Sequence, residues 1–133
     1  LTETSIMKDT ELLGEKLTEI NNLGSRISID DFGTGYSSMT WLRLLPISSL
    51  KIDKEFTNEI EDNKNGGIIV KSIIKLAEGL ELTTIAEGIE NEAQLSFLKA
   101  YNCPMGQGYY FSKPVGIEEF IELLKIKILP KKL

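Results

Sequence analysis

The spacing of apolar residues changes several times along this chain, and each change predicts a boundary between elements. From Met7 to Asn22 the residues Met7, Leu12, Leu13, Leu17 and Ile20 recur near helical spacing, and Gly24 follows as a stop. Arg26–Ile29 reads as a short strand. Ser37 or Ser38 can cap a short helix running through Leu42 to Leu45, which Pro46 ends. Leu50-Lys51-Ile52-Asp53 is a second short strand. Asn65-Gly66-Gly67 opens a long amphipathic helix carrying Ile69, Val70, Ile73, Ile74, Leu76 and Ala77, which closes at Gly79. The β-branched run Thr83-Thr84-Ile85-Ala86-Glu87 predicts a third strand, and Asn91 to Ala100 a helix with Ala93, Leu95, Phe97 and Leu98 apolar. Gly108-Tyr109-Tyr110-Phe111 reads as a fourth strand-like piece terminated by Pro114. A last helix starts at Gly116 or Ile117 and runs through Phe120, Leu123, Leu124 and Ile128, before the solvated basic end Lys131-Lys132.

Strand and helix alternating at this spacing predict successive βαβ units and a parallel sheet. Leu1-Thr2-Glu3 resembles the end of a further strand, so the pattern starts within an element. The first residue is Leu1 rather than Met, and the chain reads as one domain-sized piece of something longer.

Composition narrows the chemistry. The 133 residues are 41% hydrophobic and 26% charged, enough for a packed core. A net charge of −5 and a pI of about 4.9 argue against a nucleic-acid polymer as partner, since that surface needs a basic stripe. A small phosphate ligand remains compatible, because metal ions can supply positive charge locally. One cysteine, Cys103, excludes an intrachain disulfide, reads as a buried core residue and fits a reducing, cytoplasmic setting. There is no histidine, which excludes histidine triads and most zinc sites. A metal here must be held by oxygen, which selects Mg²⁺, Mn²⁺ or Ca²⁺. No apolar run reaches membrane-spanning length.

The most informative chemistry is the pair Asp30-Asp31, which follows an apolar strand and precedes a loop with Gly33 and Gly35. Adjacent carboxylates repel, and a cation beside them relieves that cost. Other polar residues also fall at strand ends: Glu3, Lys51, Asp53, Glu87 and Gln107. In a parallel αβ barrel all those ends open on one face. Carboxylates and a lysine in such a mouth suit metal-assisted attack on a phosphodiester. Taken singly, each has a structural explanation. Asp53 can cap the turn Lys54 to Thr57, Gly33 and Gly35 fit a simple turn, Trp41 and Phe32 read as packing residues, and Tyr109-Tyr110-Phe111 reads as strand core. The conjunction at several strand ends carries the metal hypothesis.

Four segments together resemble the EAL-domain cyclic di-GMP phosphodiesterases, in that family's order and spacing. They are Asp30 to Ser38, Leu50 to Asp53, Ile85-Ala86-Glu87-Gly88-Ile89-Glu90, and Gly106 to Pro114. Thr2-Glu3 is similar to the end of the family's fourth-strand motif. The resemblance implies the carboxyl-terminal half of a modified (β/α)₈ barrel, from the end of strand four to the last helix, spanning residues 1–133. The Glu-Ala-Leu motif, the third-strand Asn and the first Glu of the fourth-strand motif are absent from this sequence.

The resemblance also implies roles. Asp30 would bridge two Mg²⁺ or Mn²⁺ ions, Asp31 would bind the second, and Glu87 would bind metal or help activate water. Lys51 would hold the attacking water and Gln107 would line the substrate site. Glu3 would anchor the Phe32 to Ser38 loop, which couples dimerisation to metal binding, and Glu90 would be a supporting anchor. The implied reaction is hydrolysis of cyclic di-GMP to linear pGpG by a bacterial signalling protein. Implied partners are the nucleotide, a second copy of the chain, and sensory or GGDEF domains of a cytoplasmic or membrane-tethered parent. With three ligands missing, the segment alone is expected to be inactive. A non-catalytic EAL-like module that binds the nucleotide or a protein is the alternative. A two-component receiver domain fits less well: its acidic pair follows the first strand, whereas here a full helix precedes Asp30.

Overall fold

A computed structural model of the chain describes residues 10–33, 39–62 and 66–125. The elements, in chain order, are α1 (Thr10–Asn22), β1 (Ser28–Phe32), α2 (Met39–Leu44), β2 (Ser49–Ile52), α3 (Lys54–Asp62), α4 (Gly66–Gly79), β3 (Thr83–Ala86), α5 (Glu92–Ala100), β4 (Met105–Gly106) and α6 (Ile117–Lys125). The four strands are all parallel and lie in sequential order, β1-β2-β3-β4. That order is the meander of a parallel barrel wall, and it excludes the receiver fold, whose strand order reverses at the first strand.

Burial alternates along the central strands. Leu50 and Ile52 of β2 are fully buried, as is Ala86 of β3. Val70, Ile73, Ile74 and Ala77 of α4 pack on this face, with Leu95 and Leu98 of α5. The other face carries Ser49, Lys51, Thr83 and Ile85, all half-buried. A sheet with one face packed under helices holds its remaining side chains free for a site on the other.

Several expected boundaries move. Asp30 and Asp31 lie inside β1, which starts at Ser28 and continues to Phe32, not after a strand ending at Ile29. Helix α3 was not legible beyond its cap, because Phe56 and Ile60 are its main apolar contacts to the core. The fourth strand is Met105–Gly106 rather than Gly108–Phe111. Residues 108–111 form a turn, with Tyr109 58% and Tyr110 40% exposed, so they are not strand core. A strong β-propensity run gave way there to Gly108, whose α-carbon packs directly on the backbone of Ile89. Phe32 and Cys103 are buried as expected. The Leu1–Glu3 strand end, the Ser37 and Ser38 caps, and Lys131-Lys132 lie outside the described residues.

Candidate functional site

The two aspartates occupy a distorted strand end. The register of β1 on β2 shifts between Ile29 and Phe32, and Asp31 has φ +53°. A regular strand would send successive side chains to opposite faces. The bulge and the left-handed residue, which Asp tolerates better than most, break that alternation. Carboxylate oxygens of Asp30, Asp31 and Glu87 consequently lie within 4.8 Å of one another.

Lys51 stands between them because β2 is flanked by β1 and β3. Its Nζ donates to Asp30 Oδ1 at 2.8 Å and pairs with Glu87 Oε1 at 2.5 Å. Glu87 follows β3 directly, its N–H bonded to the Ile52 carbonyl at 3.0 Å. Gln107 follows β4, its N–H bonded to the Ala86 carbonyl at 2.8 Å, and its Nε2 donates to Glu87 Oε1 at 2.8 Å. Four adjacent strands thus each deliver a polar group to one row: Asp30 with Asp31, Lys51, Glu87, Gln107.

The electrostatics follow from this packing. The Lys51 hydrogen bond holds the Asp30 carboxyl below the usual carboxylate range, against a partial loss of hydration. Desolvation pushes Asp31 up, helped by the Asp30 charge and a hydrogen bond shared with Asp53. For Lys51, desolvation favours the neutral amine, but the bonds to Asp30 and Glu87 outweigh it and its pKa rises. An ammonium and three carboxylates, all partly hydrated, form a site of net negative charge open to a hard cation. The donors are oxygen only, at the mouth of a parallel sheet, which is the donor set Mg²⁺ and Mn²⁺ take.

The other expected residues fall less centrally. Glu90 is exposed and joins Gln107, Lys54, Tyr109 and Phe120 around a cavity of about 600 Å³ beside the acid cluster. Its anchored group is the main-chain N–H, which donates to Gln94 Oε1 at 2.7 Å. Glu3 and the Thr34 to Ser38 loop lie outside the described residues. Asp53 caps α3 through Oδ1 to the Glu55 N–H at 2.7 Å and also meets Asp31, so the structural reading and a site contact both apply to it. Sequence reasoning missed Gln94. Its signal was the Asn91-x-x-Gln94 capping-box spacing at the start of α5.

Fold and site together define a parallel α/β protein with a lysine-bridged carboxylate cluster at the carboxyl ends of its strands. The chain belongs to the EAL domain family, whose model matches residues 1–114. It is 38% identical over 133 residues to cyclic di-GMP phosphodiesterase NbdA of Pseudomonas aeruginosa, covering 98% of this chain and 17% of NbdA. MucR of the same organism, a bifunctional diguanylate cyclase/cyclic di-GMP phosphodiesterase, is 40% identical over 91% of this chain and 18% of its own length. The solved PaMucR phosphodiesterase in complex with c-di-GMP matches with a TM-score of 0.85 and 41% identity, over 90% of this chain and 49% of that one. Klebsiella pneumoniae BlrP1 was solved as calcium and manganese complexes with the same nucleotide. At 30% identity they give TM-scores of 0.77 and 0.76, covering 87% and 85% of this chain and 30% and 29% of theirs. The chain therefore spans about a fifth of the curated relatives named here, and half or less of these solved chains.

Proposed function

We propose that residues 1–133 are the carboxyl-terminal portion of a single EAL domain in a cytoplasmic or membrane-tethered signalling protein, and that the complete domain hydrolyses cyclic di-GMP to linear pGpG. The observation that carries this is the convergence of Asp30, Asp31 and Glu87 oxygens within 4.8 Å around the Lys51 ammonium. Two Mg²⁺ or Mn²⁺ ions, when bound, would neutralise phosphate charge and lower the pKa of water. Asp30, Asp31 and Glu87 are the residues that would hold them.

Lys51 commits two donors to Asp30 and Glu87 among the described residues, leaving one N–H for the attacking water or a phosphate oxygen. Glu87 accepts a proton from that water. The oxygen bonds to phosphorus, one phosphorus–ribose oxygen bond breaks, and a proton passes to the departing ribose oxygen. Gln107, at the junction of the cluster and the 600 Å³ cavity, is placed to orient the nucleotide. The direct test incubates the full-length protein with cyclic di-GMP and Mn²⁺ and follows pGpG by chromatography. Turnover lost in Asp30→Asn supports the reading. Intact nucleotide with the wild-type protein refutes it, and tight binding without turnover would favour the non-catalytic module.

The isolated segment is expected to be inactive and to self-associate. Helix α6 exposes Ile117, Phe120, Ile121 and Leu124, and β1 and β4 are outer strands of the described sheet. Such edges and apolar faces pair with another surface. A one-chain mass by light scattering at micromolar concentration would contradict this.

A further inference from the structure

We propose that Gln94 is a positioning residue for the acid cluster, acting through the loop Glu87-Gly88-Ile89-Glu90; this rests on reading Asp30, Asp31 and Glu87 as a cation site. Gln94 is 3% exposed, and every polar atom of its carboxamide is engaged. Its Oε1 accepts from the N–H of Glu90 at 2.7 Å and, more loosely, from that of Asn91 at 3.3 Å. An ordinary capping box serves the N-cap residue alone. Here the shorter bond reaches one residue further out, into the loop that carries Glu87.

The loop's other restraints are the fully buried Ile89 side chain and contacts to the segments that carry Gln107 and Lys51. The Ile89 N–H donates to the Gln107 carbonyl at 3.1 Å, and the Ile89 carbonyl accepts from the Tyr110 N–H at 2.9 Å. Gly88, at φ +69°, packs on Lys54, three residues after Lys51. On its other side Gln94 Nε2 reaches Asn58 Oδ1 at 3.5 Å, while Asn91 Nδ2 donates to Glu61 at 3.1 Å. Both partners are on α3, the helix that follows β2. The carboxamide thus ties the Glu87 loop at its far end to the element that continues from Lys51. Freed there, the loop keeps its bonds at Glu87 and Ile89 but loses the one that fixes Glu90, and the Glu87 carboxylate is held less firmly against Lys51 and Gln107. Groups that orient a metal ligand from behind typically matter 10–100-fold for affinity or rate.

The test measures Mn²⁺ affinity by calorimetry on the full-length protein, with thermal unfolding and kcat alongside. Gln94→Met keeps the shape and removes both acceptor and donor; the expected result is about tenfold weaker Mn²⁺ binding and a kcat reduced by about tenfold or more. Gln94→Glu restores the acceptor and is expected to stay within about threefold of wild type. Asn91→Ala removes the helix cap while leaving the Glu90 bond; it lowers the melting temperature with Mn²⁺ affinity within about twofold. If Gln94→Met does not fold, Asn58→Ala, which loosens the carboxamide from an exposed helix position, is expected to weaken Mn²⁺ about threefold. Wild-type affinity in Gln94→Met, or in Asn58→Ala where the former is unfolded, overturns the proposal and leaves Gln94 a helix cap. Equal losses of affinity in Asn91→Ala and Gln94→Met also overturn it. Absence of Mn²⁺ binding in the wild-type protein instead refutes the cation site itself.

Discussion

Replacing Lys51 by methionine separates the two charges that can hold this acid cluster together. In the metal-free protein the ammonium bridges Asp30 and Glu87 at 2.8 and 2.5 Å. Each pair has a Coulomb energy of about 4 kcal/mol at 4 Å and an effective dielectric near 20. Solvent screening and lost hydration cancel most of that: the side chains are 24%, 39% and 16% exposed for Lys51, Asp30 and Glu87. Lys51→Met also leaves three carboxylates within 4.8 Å with no counter-charge. The net expected loss is about 2 kcal/mol, or about 4–8 °C in melting temperature for a complete domain of about 150–250 residues. The assay is calorimetry of the full-length protein in chelator and in saturating Mn²⁺, where a divalent cation substitutes for the ammonium and removes most of the deficit. Its pH dependence has a definite sign. Asp30 has a lowered folded pKa, so the stability it gains from Lys51 is present above its unfolded value and is lost as pH falls through the folded one. Lys51 has a raised folded pKa, so its share is present below its unfolded value and is lost as pH rises through the folded one. The deficit should be flat across neutral pH and vanish in strong acid. An Lys51→Met protein melting within about 1 °C of wild type in chelator, or losing the same amount with and without Mn²⁺, would refute this account.

Asp31 carries the opposite sign: its folded pKa is raised, so its ionisation weakens the metal-free fold as pH rises. Asp31→Asn should therefore raise the melting temperature in chelator at pH 7, lose that gain in strong acid, and bind Mn²⁺ more weakly. Gly108→Ala would place a β-carbon about 2.1 Å from the Ile89 carbonyl oxygen. Backbone cannot yield as a side-chain tip does, so about 3 kcal/mol of stability should be lost in urea unfolding, with Gln107 displaced. Leu50→Ala, at a fully buried position on the central strand β2, should cost about 3 kcal/mol by the same measurement and leave Mn²⁺ affinity little changed.

Residue type and spacing were enough to determine the strand–helix alternation apart from α3 and the position of β4, the oxygen-only donor set and the candidacy of Lys51, Glu87 and Gln107 as site residues. These are local properties: period-2 and period-3.6 runs, capping residues and the lack of histidine need no knowledge of neighbours. The turn at Tyr109–Phe111 went the other way, because aromatic β-propensity is weak beside a glycine forced against another segment's backbone. Only tertiary structure decided that Asp30 and Asp31 face one site, since that depends on a bulge set by pairing with β2. It also decided that a helix-cap glutamine reaches into the Glu87 loop, and that Lys51 lies between two carboxylates from different strands. Contacts between residues 21 and 36 positions apart come from sheet order and helix packing, and no pattern read along the chain contains them.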